Sequence, residues 1–225
     1  MKKILSLLAV CMLFVGFASC GDDDDLKPNP NPNPGTSKDS TRTYLTPEER
    51  AAQLRDMQGV YKGWAYFKYN DNTSRYKDSA MVSATVTSND SLMVLKNLPL
   101  RIITNRLDRS YAQHLDSTAV IPDIEATVRI YLPAGYTADR ANMYEHWFWF
   151  LPRGKNYQMT FPVTYDGQER NMTLTFAPNY SSFASNGAFL IRRMLFNVII
   201  SSVSLEGVFN NQAINEILEP RLIRQ

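Results

Sequence analysis

The chain is poor in cysteine and histidine. It contains two cysteines, Cys11 and Cys20, and two histidines, His114 and His146, among 225 residues. Zinc sites need several such ligands at a suitable spacing, and most nucleophilic sites need a positioned imidazole or thiol. Neither histidine has a second histidine or a cysteine at ligand spacing. The sequence therefore predicts no metal site and no catalytic residue.

Nucleotide-binding motifs and a strong charge of one sign are also missing. The chain has no Gly-x-Gly-x-x-Gly, no phosphate-binding loop and no Gly-x-Ser-x-Gly turn, which argues against nucleotide cofactors and the common serine hydrolases. Its net charge of +2 is far from the basic face that nucleic acid requires. We expect a protein that is not an enzyme, takes no cofactor and binds no nucleic acid. A glycosidase with two distant carboxylates is the enzymatic alternative, because it would leave no local motif.

The first nineteen residues have the layout of a secretory signal peptide. Two lysines form a positive n-region, and residues 4–17 form an uncharged apolar stretch. That stretch is too short for a comfortable bilayer crossing, which takes about 20 apolar residues. Two small residues directly precede Cys20. The pattern predicts cleavage at this point, and the simplest alternative is ordinary cleavage that leaves Cys20 as an incidental thiol.

A cysteine in this position resembles the lipobox of bacterial lipoproteins. In that family the peptide is cut before the cysteine, whose sulfur carries a diacyl group and whose new amino group is acylated. Several acyl chains on one residue give firm anchoring, whereas a single chain binds only marginally. The resemblance implies that residues 1–19 are removed and that a lipid on Cys20 attaches the protein to a membrane.

A run of four aspartates, Asp22, Asp23, Asp24 and Asp25, follows shortly after Cys20. Such a run repels itself and remains extended and solvated. It resembles the export signal of surface-exposed Bacteroidetes lipoproteins, which implies an outer-membrane lipoprotein on the cell surface. The alternative is a simple solvated spacer that faces the periplasm.

Residues 28–34 alternate proline with asparagine. Alternating proline favours an extended, semi-rigid polyproline geometry that cannot build a core. The sequence thus predicts three parts: a signal peptide over 1–19, a disordered lipidated tether over 20–43, and a single β-rich domain over 44–225. After cleavage that domain holds no cysteine, so its hydrophobic core must stabilise it without disulfides.

The folded part is predicted to begin with a helix. Thr46 and Glu49 form a capping box around Pro47 at the first helical position, and the pattern continues to about Met57. The apolar positions of this helix are sparse. We therefore expect it to lie on a sheet or to close one end of a barrel.

From Gly59 onward the apolar residues alternate with a period of two, which indicates strands. The predicted strands are 60–69, 81–87, 92–95, 126–132, 145–151, 158–165, 171–176 and, as one bent strand or two, 189–203. Helical spacing begins at Leu100, and a short helix is predicted over 212–218. The prediction is an all-β dominated fold, an antiparallel β-sandwich or barrel with a short N-terminal helix and one or two further short helices, in a monomer.

Residues 59–63, Gly-Val-Tyr-Lys-Gly, open the first strand directly after the helix. This layout, behind an acidic tether, looks like small Bacteroidetes lipoproteins of uncharacterised families. The helix followed by glycine and an aromatic residue is also similar to the first strand of lipocalin-like barrels. Neither resemblance brings a catalytic residue with it.

Residues 146–150 read His-Trp-Phe-Trp-Phe. In a strand, Trp147 and Trp149 share one face and the other three residues share the opposite face. If the second face packs into the core, the tryptophans form an aromatic platform for sugar rings or a protein, with Trp64 on another aromatic strand. The alternative is a central strand that is buried on both faces.

These patterns together predict a lipoprotein whose β-domain is a non-enzymatic binding or structural module. Contact with a glycan or a host surface is the ligand class that the aromatic strand favours. One alternative is a lipocalin-like carrier that holds a small apolar ligand in a barrel. Another is a subunit of an envelope complex with the aromatic strand as its protein interface.

Overall fold

The computed structural model of the protein describes residues 42–69, 76–143, 145–177 and 186–225. The predicted signal peptide, Cys20, the four aspartates and nearly all of the predicted tether lie outside the described residues, as do residues 70–75. No helix in the described ranges has the length and apolar character needed to cross a membrane.

The described chain is dominated by strands, and the predicted fold class is confirmed. The helices are α1 (Pro47–Met57), α2 (Arg101–Thr104), α3 (Arg109–Ala112), α4 (Ala138–Met143) and a 3-10 turn (Lys155–Tyr157). The strands are β1 (Gly59–Tyr69), β2 (Tyr76–Thr87), β3 (Leu92–Lys96), β4 (Ile124–Tyr131), β5 (His146–Pro152), β6 (Gln158–Tyr165), β7 (Gln168–Phe176), β8 (Asn186–Leu190), β9 (Arg193–Phe196), β10 (Val198–Leu205) and β11 (Phe209–Arg224).

Eight of the strands close into an antiparallel barrel. Its order is β1-β2-β3-β4-β5-β8-β9-β11, and β11 pairs again with β1. The closing seam runs from Tyr61 opposite Arg224 to Tyr69 opposite Glu216. Closure pairs the backbone groups that the edges of an open sheet leave unpaired. Of the two predicted architectures, the barrel is the one that the chain adopts.

The other three strands extend from the barrel as a side sheet. The N-terminal half of β11 pairs with β10, β10 pairs with β7, and β7 pairs with β6. The segment that carries α2 and α3 contacts this sheet, where Leu115 forms a bridge with Tyr165 and the ring of Tyr111 lies 4.9 Å from that of Phe209. Buried residues of the barrel and the side sheet belong to one hydrophobic core.

Aromatic rings fill the barrel interior. Phe148 and Phe150 on β5 are fully buried, and their ring centroids lie 6.0 Å and 5.1 Å from that of Phe196 on β9. Gly187 on β8 leaves room for this packing, because a Cβ at that position would lie 2.3 Å from Phe148 Cζ. The interior is therefore a packed core.

Helix α1 begins at the predicted capping box. Thr46 Oγ1 accepts a hydrogen bond from the Glu49 amide at 3.2 Å, and Glu49 Oε2 accepts one from the Thr46 amide at 2.8 Å. The helix contacts β4 and β2, and it buries Leu54 and Met57. Tyr61 Oη donates to the Met57 carbonyl at 2.5 Å, which ties the end of α1 to the first strand.

The helix predicted over 212–218 is wrong, because these residues belong to β11. Ile214, Glu216 and Leu218 are buried on alternate positions, as in a strand. Because position 216 holds a glutamate, the sequence does not show the alternation of apolar residues that is typical of a strand. The aliphatic residues Ile214 and Leu218 are instead four positions apart, which is a helical spacing. Pairing with β1 on one edge and β10 on the other holds the segment extended.

Two other segments divide more finely than predicted. The helical spacing that begins at Leu100 becomes two one-turn helices, α2 and α3, separated at Asp108. The stretch 189–203 becomes parts of three strands, because the chain turns after Leu190 and breaks again at Asn197. That second break takes the chain from β9 in the barrel to β10 in the side sheet.

Candidate ligand-binding groove

The two faces of β5 have different environments. His146, Phe148 and Phe150 are buried inside the barrel, whereas Trp147 and Trp149 on the outer face are half-buried. The alternative of a strand fully buried on both faces is therefore wrong. The alternation that the sequence predicts for this strand is the one that the fold uses.

Trp149 forms a ring pair with Tyr131 on the neighbouring strand β4. The ring centroids are 4.8 Å apart and the planes are inclined by 33°. Burial raises the pKa of the Tyr131 phenol to about 12. The hydroxyl therefore keeps its proton at neutral pH and can donate a hydrogen bond.

A cavity of about 410 Å³ opens beside this ring pair. Trp149 and Tyr131 line one side, and the strap 43–45 that precedes α1 lines the other. Tyr44 in the strap is 63% exposed. This volume lies within the range of small-ligand sites, about 300–1,000 Å³.

A second cavity, of about 540 Å³, adjoins the first between α1, the turn 88–91 and β4. The two cavities share Arg50, Arg129 and Ile130 as lining residues. We call the combined space the groove. It is bounded by the strap and α1 on one side and by β4, the turn 88–91 and Trp149 on the other.

The charged residues that line the groove are all positive. Arg50, Arg55 and Arg129 line it, and no aspartate or glutamate is among its lining residues. Within the described parts of the chain, none of these three guanidinium groups forms a hydrogen bond or an ion pair. The nearby Arg42 differs, because it pairs with Glu49 and its guanidinium carbon lies 5.2 Å from the centroid of the Tyr44 ring.

The structure places the other two predicted platform residues outside the groove. Trp147 is packed by Tyr136, whose ring centroid lies 5.8 Å away, and its indole nitrogen donates to Glu145 Oε2 at 3.2 Å. Trp64 on β1 is 46% exposed and lies beside Met81 on β2. Four inter-strand steps, or roughly 19 Å, separate β1 from β5 along the barrel. The three tryptophans therefore do not form one platform.

Sequence reasoning missed Tyr131, Arg129 and Arg50. Alternation along β4 places Arg129 and Tyr131 on its outer face, which is a detectable signal. Their relation to Trp149 depends on the register of β4 with β5, where Arg129 lies opposite Trp149. Arg50 joins them only because α1 contacts β4.

Both histidines have structural partners. His146 Nδ1 donates to the Ala141 carbonyl at 3.2 Å, and His146 Nε2 lies 2.7 Å from Asp56 Oδ2. His114 Nδ1 lies 3.4 Å from Asp166 Oδ1. Among the residues that the structure describes, no three histidine, cysteine or acidic side chains are grouped so that they could hold a metal ion.

Comparisons with known proteins give one finding. A family model described as a domain of unknown function (DUF4840) matches residues 56–205. The matched range runs from the end of α1 into the end of β10, so it includes β4 and β5 and stops before β11. No curated protein and no solved structure matches the chain.

Proposed function

Since this chain belongs to the DUF4840 family, whose function is unknown, we propose a function from its own groove. The protein is a non-enzymatic binding module that holds a saccharide against the ring pair of Trp149 and Tyr131. The ring pair beside an open cavity is the observation that carries this proposal.

The chemistry of the groove suits a saccharide. A sugar ring has an apolar face and a rim of hydroxyl groups. A half-buried indole offers a flat apolar surface to that face, and an amphipathic aromatic pair combines such a surface with a polar edge. The Tyr131 hydroxyl and the exposed Arg50 and Arg129 supply hydrogen-bond donors around the rings. A site of this kind binds without needing a catalytic group.

We further propose that the protein is a monomeric outer-membrane lipoprotein and that its groove is exposed at the cell surface. The support for this proposal is the sequence pattern at Cys20 and the aspartates that follow. If the lipid is attached there, the tether 20–43 reaches at most roughly 80 Å when fully extended. The domain could then sample glycans or host surfaces well beyond the membrane that anchors it.

A lipocalin-like carrier is the second candidate, because a closed barrel is compatible with it. Among the described residues, six fully buried aromatic side chains belong to the core that a carried ligand would have to enter: Tyr61, Phe67, Phe148, Phe150, Phe189 and Phe196. A carrier would have to displace these rings, whereas the groove is already open. The packing therefore favours saccharide binding at the groove over apolar binding in the barrel.

The test is a glycan array with the purified protein, followed by calorimetry of the strongest ligand. We expect Trp149→Ala to weaken that binding about two- to tenfold, in line with about 0.5–1.5 kcal/mol for an aromatic stacking contact. Trp64→Ala is the matched control, since it removes an exposed tryptophan outside the groove. Equal loss in both variants would overturn the proposal, and binding of fatty acids alone would favour the carrier.

A further inference from the structure

The three groove arginines bring positive charge together in one space, and none of their guanidinium groups has a partner among the described residues. Some other arginines among the described residues form ion pairs, as Arg101 does with Asp78 at 2.8 Å. In contrast, Arg50, Arg55 and Arg129 have no such contact with any part of the chain that the structure describes. They nevertheless line one continuous space.

The positions of the arginines follow the length of the groove. Arg50 on α1 and Arg129 on β4 line both cavities, so they lie where the cavities meet. Arg55 lines only the larger cavity, and the Trp149–Tyr131 pair lines only the smaller one. The groove thus has an aromatic end and a cationic middle and far end.

Like charges that share one groove repel each other, and an anion bound between them removes that repulsion. No carboxylate of the groove lining supplies that anion. A guanidinium group binds planar carboxylates and sulfate-type oxyanions through two parallel hydrogen bonds. The missing partner is therefore expected to come from a ligand.

We propose that the groove selects acidic saccharides, in which sugars carry carboxylate or sulfate groups. One sugar ring lies on Trp149 and Tyr131, and the acidic group of that sugar or of the next one binds between Arg50 and Arg129. Arg55 binds a further acidic group along the chain. This inference rests on the proposed saccharide function and assigns it a substrate class.

The turn 88–91 supports recognition at the far end. Ser88, Asn89 and Ser91 line the larger cavity, and the Ser88 hydroxyl also donates to Gln58 Oε1 at 2.7 Å. Hydroxyl and amide side chains bind neutral hydroxyls or acidic oxygens without adding charge. The cationic end is therefore suited to a sugar that carries both hydroxyl groups and an acidic group.

The experiment is calorimetry of the full chain with three polysaccharides: heparin for sulfate, polygalacturonate for carboxylate, and dextran as the neutral probe. We expect at least one acidic polysaccharide to bind at least tenfold more tightly than dextran. Its affinity should decrease as salt is raised, because ions screen charge contacts at solvent-exposed sites.

The variant for this test is Arg50→Gln combined with Arg129→Gln, and it should lower acidic-polysaccharide affinity at least tenfold. Arg192→Gln combined with Arg193→Gln is the matched control. These two exposed arginines lie directly before β9 and at its first residue, and they do not line the groove. The control variant therefore removes the same amount of positive charge outside the groove. An equal loss in the control would overturn the inference in favour of general charge attraction.

The outcomes separate this inference from the function on which it rests. Binding of dextran as tight as that of the acidic probes, lost in Trp149→Ala, would overturn the acidic class and keep saccharide binding. If the binding of acidic polysaccharides depends on Arg50 and Arg129 but not on Trp149, the proposed anion site is supported and the proposed stacking on Trp149 is overturned. Absence of binding to all three probes would overturn both.

Discussion

Glu216 on β11 is fully buried, and Arg106 Nε lies 3.4 Å from its Oε2. Neither carboxyl oxygen has a hydrogen-bond partner within the described parts of the chain. Arg106 instead donates to the Ile214 carbonyl at 3.3 Å and 3.1 Å. Desolvation by burial raises the pKa of Glu216 from 4.5 to about 8, against the opposing effect of Arg106. At neutral pH this carboxyl is therefore mostly protonated in the folded protein.

Stability should consequently decrease as pH rises from about 4.5 to about 8. Over this range the unfolded chain releases the Glu216 proton while the folded chain retains it, so rising pH favours unfolding. The contribution is complete below pH 4.5 and is lost as the pH approaches 8, at up to about 1.4 kcal/mol per pH unit. We expect Glu216→Gln to remove this decrease and to be more stable than the parent protein at pH 8.

Urea unfolding at pH 5 and pH 8 measures the effect. Glu125→Gln is the control, since Glu125 is an exposed carboxylate on β4 and its variant should follow the parent profile. If the Glu216→Gln and parent profiles are parallel between these pH values, burial does not retain the Glu216 proton.

Among the elements, α1 matters most to the proposed site, because it carries Arg50 and Arg55. Its first turn depends on the reciprocal hydrogen bonds of Thr46 and Glu49. Removing an N-cap side chain typically costs about 1 kcal/mol, within a range of about 0.5–2 kcal/mol. We expect Thr46→Ala to lower the free energy of unfolding by that amount.

Thermal unfolding followed by circular dichroism tests the cap. Thr46→Ser is the matched variant, because serine retains the accepting hydroxyl oxygen and should remain near the parent stability. A Thr46→Ala protein as stable as the parent would show that tertiary contacts alone hold the start of α1.

For the whole molecule, β11 is the strand on which closure depends. It pairs with β1 on one edge and with β9 and β10 on the other, so it joins the barrel to the side sheet. A chain that ends at Leu205 keeps every residue of the family match but lacks β11. We expect it to lose cooperative unfolding, because both the barrel seam and the side sheet would have open edges.

Circular dichroism and thermal melting of the shortened chain measure this loss. A synthetic peptide of residues 206–225, added in trans, is the control, since a supplied strand can pair with an open sheet edge. Restored cooperativity would support the role of β11. Cooperative unfolding of the shortened chain alone would contradict it.

Local patterns predicted much of the fold and one part of the candidate site. The capping box of α1 and most of the strands were identified because each is a property of neighbouring residues. The same alternation placed Trp149 on the outer face of β5. Residue Glu216 shows the limit of this reasoning, because a buried acidic residue inside a strand disrupts the apolar alternation that identifies strands.

The sequence by itself determined most of the segments that extend, where α1 begins and which residues of β5 face outward, since these depend on spacing along the chain. It also carries the signal and lipid pattern at Cys20, which stays a prediction. Only the tertiary structure decided that the sheet closes through β11 and that Trp149, Tyr131, Arg50 and Arg129 border one groove. Those relations arise from pairing and packing between distant segments, and no local period encodes which strand lies beside which.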